Sequence, residues 1–83
     1  MRISVVIPAY NEAGNIGRLV EETFVAVPCA MLAEVIVVDD GSEDGTATEV
    51  KQLMNRYQRL RMLRHVRRSG QSAAIRTGVR FAA

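Results

Sequence analysis

Three short stretches of this chain hold side chains that could do chemistry: Pro8-Ala9-Tyr10-Asn11-Glu12, Asp39-Asp40-Gly41-Ser42 and Arg67-Arg68-Ser69-Gly70-Gln71. Between them they offer an aromatic ring, several carboxylates and a cationic loop. Tyr10 could pack on a base or ribose, and a carboxylate could accept from base N–H groups or ribose hydroxyls. Arginines and backbone N–H groups could hold phosphate. That inventory suits a nucleotide. Gly41 and Gly45 would let the backbone approach such a ligand closely. Neither a GxGxxG after the first apolar run nor a GxxxxGK[ST] stretch occurs, so a dinucleotide fingerprint and a P-loop are both unsupported.

Other residues have plainer readings. Asp39-Asp40 is a candidate metal pair, since hard cations favour paired carboxylates. Adjacent residues on a strand point to opposite faces, however, so both would aim at one ion only at a bend. Asp44 reads as a helix cap. His65 has no Cys or Ser nucleophile with the context of a triad, and reads as a strand residue that packs or faces solvent. Cys29 reads as a small buried or half-buried hydrophobe, and the four methionines as core filling.

The elements that must position these stretches follow from the apolar pattern. Residues 3–7 form a β-branched run that Pro8 closes by removing a donor. Apolar on both faces, it reads as a buried parallel strand. A helix from about Glu12, capped by Asn11, carries Ile16, Leu19, Val20, Phe24 and Val27 on one stripe and stops at Pro28. Val35-Ile36-Val37-Val38 is the heart of a second strand over residues 34–40. Asp44 or Thr46 caps the next helix, whose apolar face is Val50, Leu53, Met54 and Tyr57. A third strand is expected over residues 60–66, and a last helix over residues 71–83. The order β-α-β-α-β-α means parallel strands with right-handed crossovers, an open α/β sheet. In such sheets ligands bind beyond the carboxyl ends of the strands, where the three stretches fall.

At 83 residues the chain is one domain at most, and it buries only about 60–65% of its unfolded surface, a marginal amount. With 48% hydrophobic residues and a net charge of +2 it is neither disordered nor, with one cysteine, a disulfide scaffold. A single cysteine fits a reducing compartment, so a cytoplasmic location is expected. The longest apolar stretch, residues 24–38, is broken by Pro28 and Glu34 and falls short of the about 20 residues a membrane span needs. Charge is divided unevenly. Residues 1–50 hold nine acids and two arginines, a net −7, while residues 51–83 hold nine bases and no acid. A basic half invites a polyanionic partner. With four aromatics dispersed along the chain and no recognition signature, a nucleic acid is not the expected one.

Read as words, Ser4-Val-Val-Ile-Pro-Ala-Tyr-Asn-Glu12, Glu34-Val-Ile-Val-Val-Asp-Asp-Gly-Ser-Glu-Asp-Gly-Thr46 and Gly70-Gln-Ser-Ala-Ala-Ile-Arg-Thr-Gly78 resemble the start of family 2 glycosyltransferases, and in particular dolichol-phosphate and undecaprenyl-phosphate sugar synthases. The resemblance covers nearly the whole chain. It implies a partial GT-A (Rossmann-like) unit, α/β with a three-stranded parallel sheet of order 3-2-1. It further implies a nucleoside-diphosphate sugar donor of UDP or GDP type and inverting, Mg2+- or Mn2+-assisted transfer by the complete enzyme. By the same resemblance Pro8, Ala9, Tyr10 and Glu12 match the first donor loop, Val38 and Asp40 the second, with Asp40 on the base, and Gly70 and Gln71 a third. The family's metal-binding Asp-x-Asp motif, its catalytic base and its acceptor site would follow Ala83. Residues 1–83 are therefore expected to be a truncated, inactive nucleotide-sugar-binding subdomain, without catalytic residues or metal of its own. The complete enzyme could be membrane-associated. A fourth strand would pair beside the first, so the exposed first strand, or exchange of the last helix, is expected to make a homo-oligomer. The competing reading is a self-associating remnant with vestigial loops.

Overall fold

The structure is a computed structural model that describes residues 2–65. Three parallel strands, β1 (Ile3–Ala9), β2 (Leu32–Asp39) and β3 (Leu60–Arg64), alternate with helices α1 (Ile16–Ala26) and α2 (Thr46–Met54). The sheet runs β1-β2-β3, which is the expected 3-2-1 order. Gly70, Gln71 and the last helix lie outside the described residues. β2 is central because it is the most apolar strand, with Val35, Ile36, Val37 and Val38 all fully buried. Its register sets Val5 and Ile7 beside Val35 and Val37, which in turn lie beside Leu60 and Met62. Both crossovers step in the same direction across the sheet, so right-handed connections lay both helices on one face. There Ile16 and Val20 of α1 and Val50 and Leu53 of α2 close the main core over Val35, Val37 and Leu60. Phe24 and Tyr57 stack at its lower edge, their centroids 4.3 Å apart.

The second face holds Val6, Ile36, Val38 and Leu63. At its amino end a polar row crosses all three strands. Ser4 Oγ donates to Glu34 Oε2, and Arg61 Nη1 donates to Glu34 Oε1. Such cross-strand pairs help pin the register.

Several local expectations are corrected. Pro8 does not end the first strand, which continues to Ala9 with Pro8 beside Val38. The reason is directional. The Ala9 carbonyl accepts from Asp40 N, so Ala9 faces β2 and Pro8, one residue earlier, turns its missing donor away from the ladder. Asn11 does not cap α1. It sits at φ 50°, and its Oδ1 accepts from Glu43 N across the site. The helix instead starts at Ile16, with Ile16 N donating to the Glu12 carbonyl. Leu19, Met31 and Met54 are exposed rather than in the core, and Cys29 is exposed too.

Candidate functional site

The carboxyl ends of the strands release three segments side by side. β1 delivers Tyr10-Asn11-Glu12, β2 delivers Asp40-Gly41-Ser42, and β3 delivers His65. Gly41 takes φ 80°, a turn that an ordinary side chain resists, and it bends the chain immediately after the acidic pair.

The first loop is fastened to the second almost donor by donor. Asn11 N donates to Ser42 Oγ at 2.9 Å, and Glu12 N to Thr46 Oγ1 at 2.8 Å. Ala13 N donates to Asp44 Oδ2, Gly14 N to Glu49 Oε1 and Gly17 N to Glu49 Oε2, the last two at 2.8 and 2.6 Å. Five backbone N–H groups of the first loop and α1 thus end on side chains supplied by residues 42–49. A Cβ at Gly17 would lie 2.7 Å from Glu49 Oε2, so a larger residue there must displace that carboxylate. Asp44 also accepts from Thr46 N at 2.9 Å and from the Thr46 hydroxyl. The cap position itself is Gly45, without a side-chain bond, so neither Asp44 nor Thr46 is the cap expected from sequence; Asp44 satisfies the first N–H of α2 from one residue earlier. The Thr46 hydroxyl, first among the causes, holds the Asp44 carboxyl below its ordinary value near 3.8, against an opposing desolvation.

The acidic pair splits as a strand demands. Asp39, fully buried, accepts from Ser42 N through Oδ1. Its Oδ2 lies 3.2 Å from Arg64 Nε, a charge contact that lacks hydrogen-bond alignment. Arg64 Nη2 also donates to the Ser42 carbonyl. Asp40 faces the other way, with Oδ1 2.9 Å from His65 Nδ1. The two carboxylates do not converge, and among the described residues no group of three His, Cys, Asp or Glu side chains could hold a metal ion.

Of the residues singled out from sequence, Pro8 and Ala9 close β1, Tyr10 and Glu12 are half-buried in the loop above, and Asp40 is buried beside them. Val38 is fully buried in the second-face core, two residues before Asp40. Spacing alone did not flag His65, Arg64, Thr46 or Glu49 as parts of this end of the sheet. The Thr46-x-x-Glu49 pattern of a capping box was the available signal, and it would have misdirected, because both side chains reach across to the first loop instead of closing their own helix.

Comparison with known proteins agrees with this geometry. Residues 4–83 match the family described as Glycosyl transferase family 2. The glycosyltransferase AglE of Haloferax volcanii is 38% identical over 77 residues, 93% of this chain and 25% of that protein. The dolichol-phosphate mannosyltransferase of Pyrococcus furiosus is 34% identical over 85 residues, 99% of this chain and 23% of that protein. A solved structure, the mannosyltransferase PcManGT from Pyrobaculum calidifontis in complex with GDP-Man and Mn2+, superposes with a TM-score of 0.88 at 32% identity. It covers 99% of this chain and 24% of that one. The chain thus spans about a quarter of the length of these relatives. Its 3-2-1 sheet and two helices are a partial GT-A unit. By sequence match and by fold, the chain belongs to glycosyl transferase family 2.

Proposed function

We propose that residues 1–83 are the donor-nucleotide-binding part of a glycosyltransferase that takes a UDP- or GDP-type sugar and passes the sugar, with inversion, to a polyprenyl phosphate. The observation that carries the reading is Asp40: a carboxylate 3% exposed, held at the carboxyl end of the central strand directly beside the Tyr10 loop. A buried acceptor beside a loop that carries an aromatic residue suits a nucleobase with N–H donors. Tyr10 packs on the base or ribose, and Pro8 and Ala9 fix where its loop begins. Glu12, tied to Thr46, holds the loop closed, while Val38 seats the strand end that presents Asp40. Gly70 and Gln71 contribute a third element. The GDP-Man in the PcManGT complex and the dolichol-phosphate relative support the donor and acceptor classes.

The complete enzyme would use Mg2+ or Mn2+ to offset charge on the departing diphosphate. The described residues do not fit that ion, so no step assigned to them runs through it. On this reading the chain by itself binds donor nucleotide without transferring sugar. It also self-associates through β1, which among the described residues has a strand neighbour on one side only, or by exchange of the last helix. A monomer whose mass is independent of concentration in light scattering would exclude that part.

The test is an amide NMR titration of the labelled chain with UDP and with GDP, with and without Mn2+. Shifts confined to residues 10–12, 38–42 and 69–71 are expected. A folded spectrum indifferent to both nucleotides would overturn the proposal and favour a self-associating remnant.

A further inference from the structure

His65 lies outside every motif that marks the nucleotide loops, yet it touches the residue on which the donor reading depends. Its backbone N–H donates to the Asp39 carbonyl at 2.9 Å, which fastens it to the end of β2 immediately before Asp40. Asp40 is fastened on its other flank, its own N–H donating to the Ala9 carbonyl at 2.8 Å. With both backbones held, the ring meets the carboxylate at 2.9 Å, and the side chains are only 18% and 5% exposed. An ionised carboxylate can only accept, so the hydrogen in this contact belongs to His65 Nδ1. The contact removes the carboxylate's freedom to rotate and keeps it an acceptor.

A fixed acceptor discriminates among bases. Uracil and guanine present an imide N–H on the Watson–Crick edge, whereas cytosine and adenine present a ring-nitrogen lone pair at that position. Lone pair against carboxylate is repulsive, so such a base is disfavoured there. We propose that His65 is the positioning residue of base recognition, holding the Asp40 carboxylate as an oriented acceptor for the imide N–H of a uracil or guanine base. The inference rests on the donor-nucleotide reading above and adds to it the residue that orients the base acceptor.

The experiment titrates the labelled chain and its variants with GDP, UDP, ADP and CDP. The wild-type chain is expected to bind GDP or UDP at least about tenfold tighter than ADP and CDP, the scale of one charge-assisted hydrogen bond. His65→Ala is expected to weaken the preferred nucleotide about tenfold and to change ADP and CDP less than about twofold, so that discrimination collapses. His65→Asn places an amide donor near the Nδ1 position and restores the preference, while His65→Gln, one bond longer, does not. In an Asp40→Asn background His65→Ala has no further effect. A merely structural role would lower the melting point without moving the ratio between bases. If His65→Ala does not fold, the Asn and Gln variants decide, and equal discrimination by those two would overturn the inference. A wild-type preference that survives His65→Ala overturns it alone. A wild-type chain that binds none of the four nucleotides overturns the donor reading as well.

Discussion

Glu49 is the sharpest point at which to test how the first loop is held. Its two carboxylate oxygens accept from Gly14 N and Gly17 N at 2.8 and 2.6 Å. Each bond to this partly solvated anion is worth about 1 kcal/mol net. A negative charge at the amino end of α1 adds about 0.3–1 kcal/mol. Glu49→Ala should therefore cost about 2–3 kcal/mol, and at about 4–8 °C per kcal/mol for a domain of this size the melting temperature should fall by about 8–24 °C. Glu49→Gln should recover half at best, because one amide oxygen can serve one N–H while the amide nitrogen opposes the other. The decisive test is a cycle with Gly17→Ala. In the parent chain the new Cβ would lie 2.7 Å from Glu49 Oε2 and must displace it, so the substitution destabilises. In the Glu49→Ala background the nearest remaining atom is Leu53 Cδ1 at 3.7 Å, an ordinary contact. There Ala should gain the about 0.8–1 kcal/mol by which it outranks Gly inside a helix. Urea unfolding followed by far-UV circular dichroism measures both legs, provided the slopes agree. If Gly17→Ala is equally harmful in the two backgrounds, or Glu49→Ala costs less than about 0.5 kcal/mol, the clamp does not carry the load assigned to it.

Three further perturbations follow from the same geometry. The Asp44 carboxyl is held below its ordinary value by Thr46, so its contribution to stability is present above the unfolded pKa and disappears as pH falls through the folded one. The unfolding midpoint should accordingly drop below about pH 4, and Asp44→Asn should flatten that step; an unchanged acid limb would count against the assignment. Ile16, 0% exposed at the start of α1, should cost about 2–5 kcal/mol as Ile16→Ala, read from the urea midpoint at unchanged slope. At Asn11, φ 50° and the bond to Glu43 N predict an order: Asn11→Gly loses the bond, about 1 kcal/mol, and Asn11→Ala adds the left-handed backbone cost for a total of about 2 kcal/mol. An Ala variant more stable than the Gly variant would contradict it.

What could be read along the chain was whatever burial writes into consecutive residues. Val35-Ile36-Val37-Val38 is apolar on both faces because both faces are buried, and it correctly announced the central parallel strand. Alternation with helical stripes then gave parallel strands and placed the loops at one end, while the 3-2-1 order followed from the resemblance to family 2 glycosyltransferases. Interactions between distant residues left no such trace. Asn11 had the chemistry of a helix cap, but the same side chain also tolerates the left-handed region and can reach Glu43, and tertiary context chose that use. His65 and Asp40 are 25 residues apart, and only parallel pairing of β2 with β3 brings them together. Pro8 misled because its lost donor matters only on the side facing the ladder. Cys29, Met31 and Met54 misled because residue type predicts average burial rather than position.

The clamp also accounts for the absence of a GxGxxG stretch after β1. In dinucleotide-binding α/β units the amino end of the first helix takes the pyrophosphate on glycine-rich backbone N–H groups. Here the corresponding N–H groups of Ala13, Gly14 and Gly17 already end on Asp44 and Glu49. A diphosphate arriving there would lose those donors to the clamp and meet two carboxylates; like charges about 5 Å apart repel by about 3 kcal/mol per pair at an effective dielectric near 20. The missing GxGxxG is therefore not a worn version of that motif, since the glycines present serve the clamp instead. Under the donor reading the same arrangement gives the ligand a direction. The base goes to the buried acceptor Asp40 and the ring of Tyr10, and the phosphates point away from α1, toward cations that lie outside this acidic corner. The polarity of the nucleotide in the site thus follows from which backbone donors the chain has kept for itself.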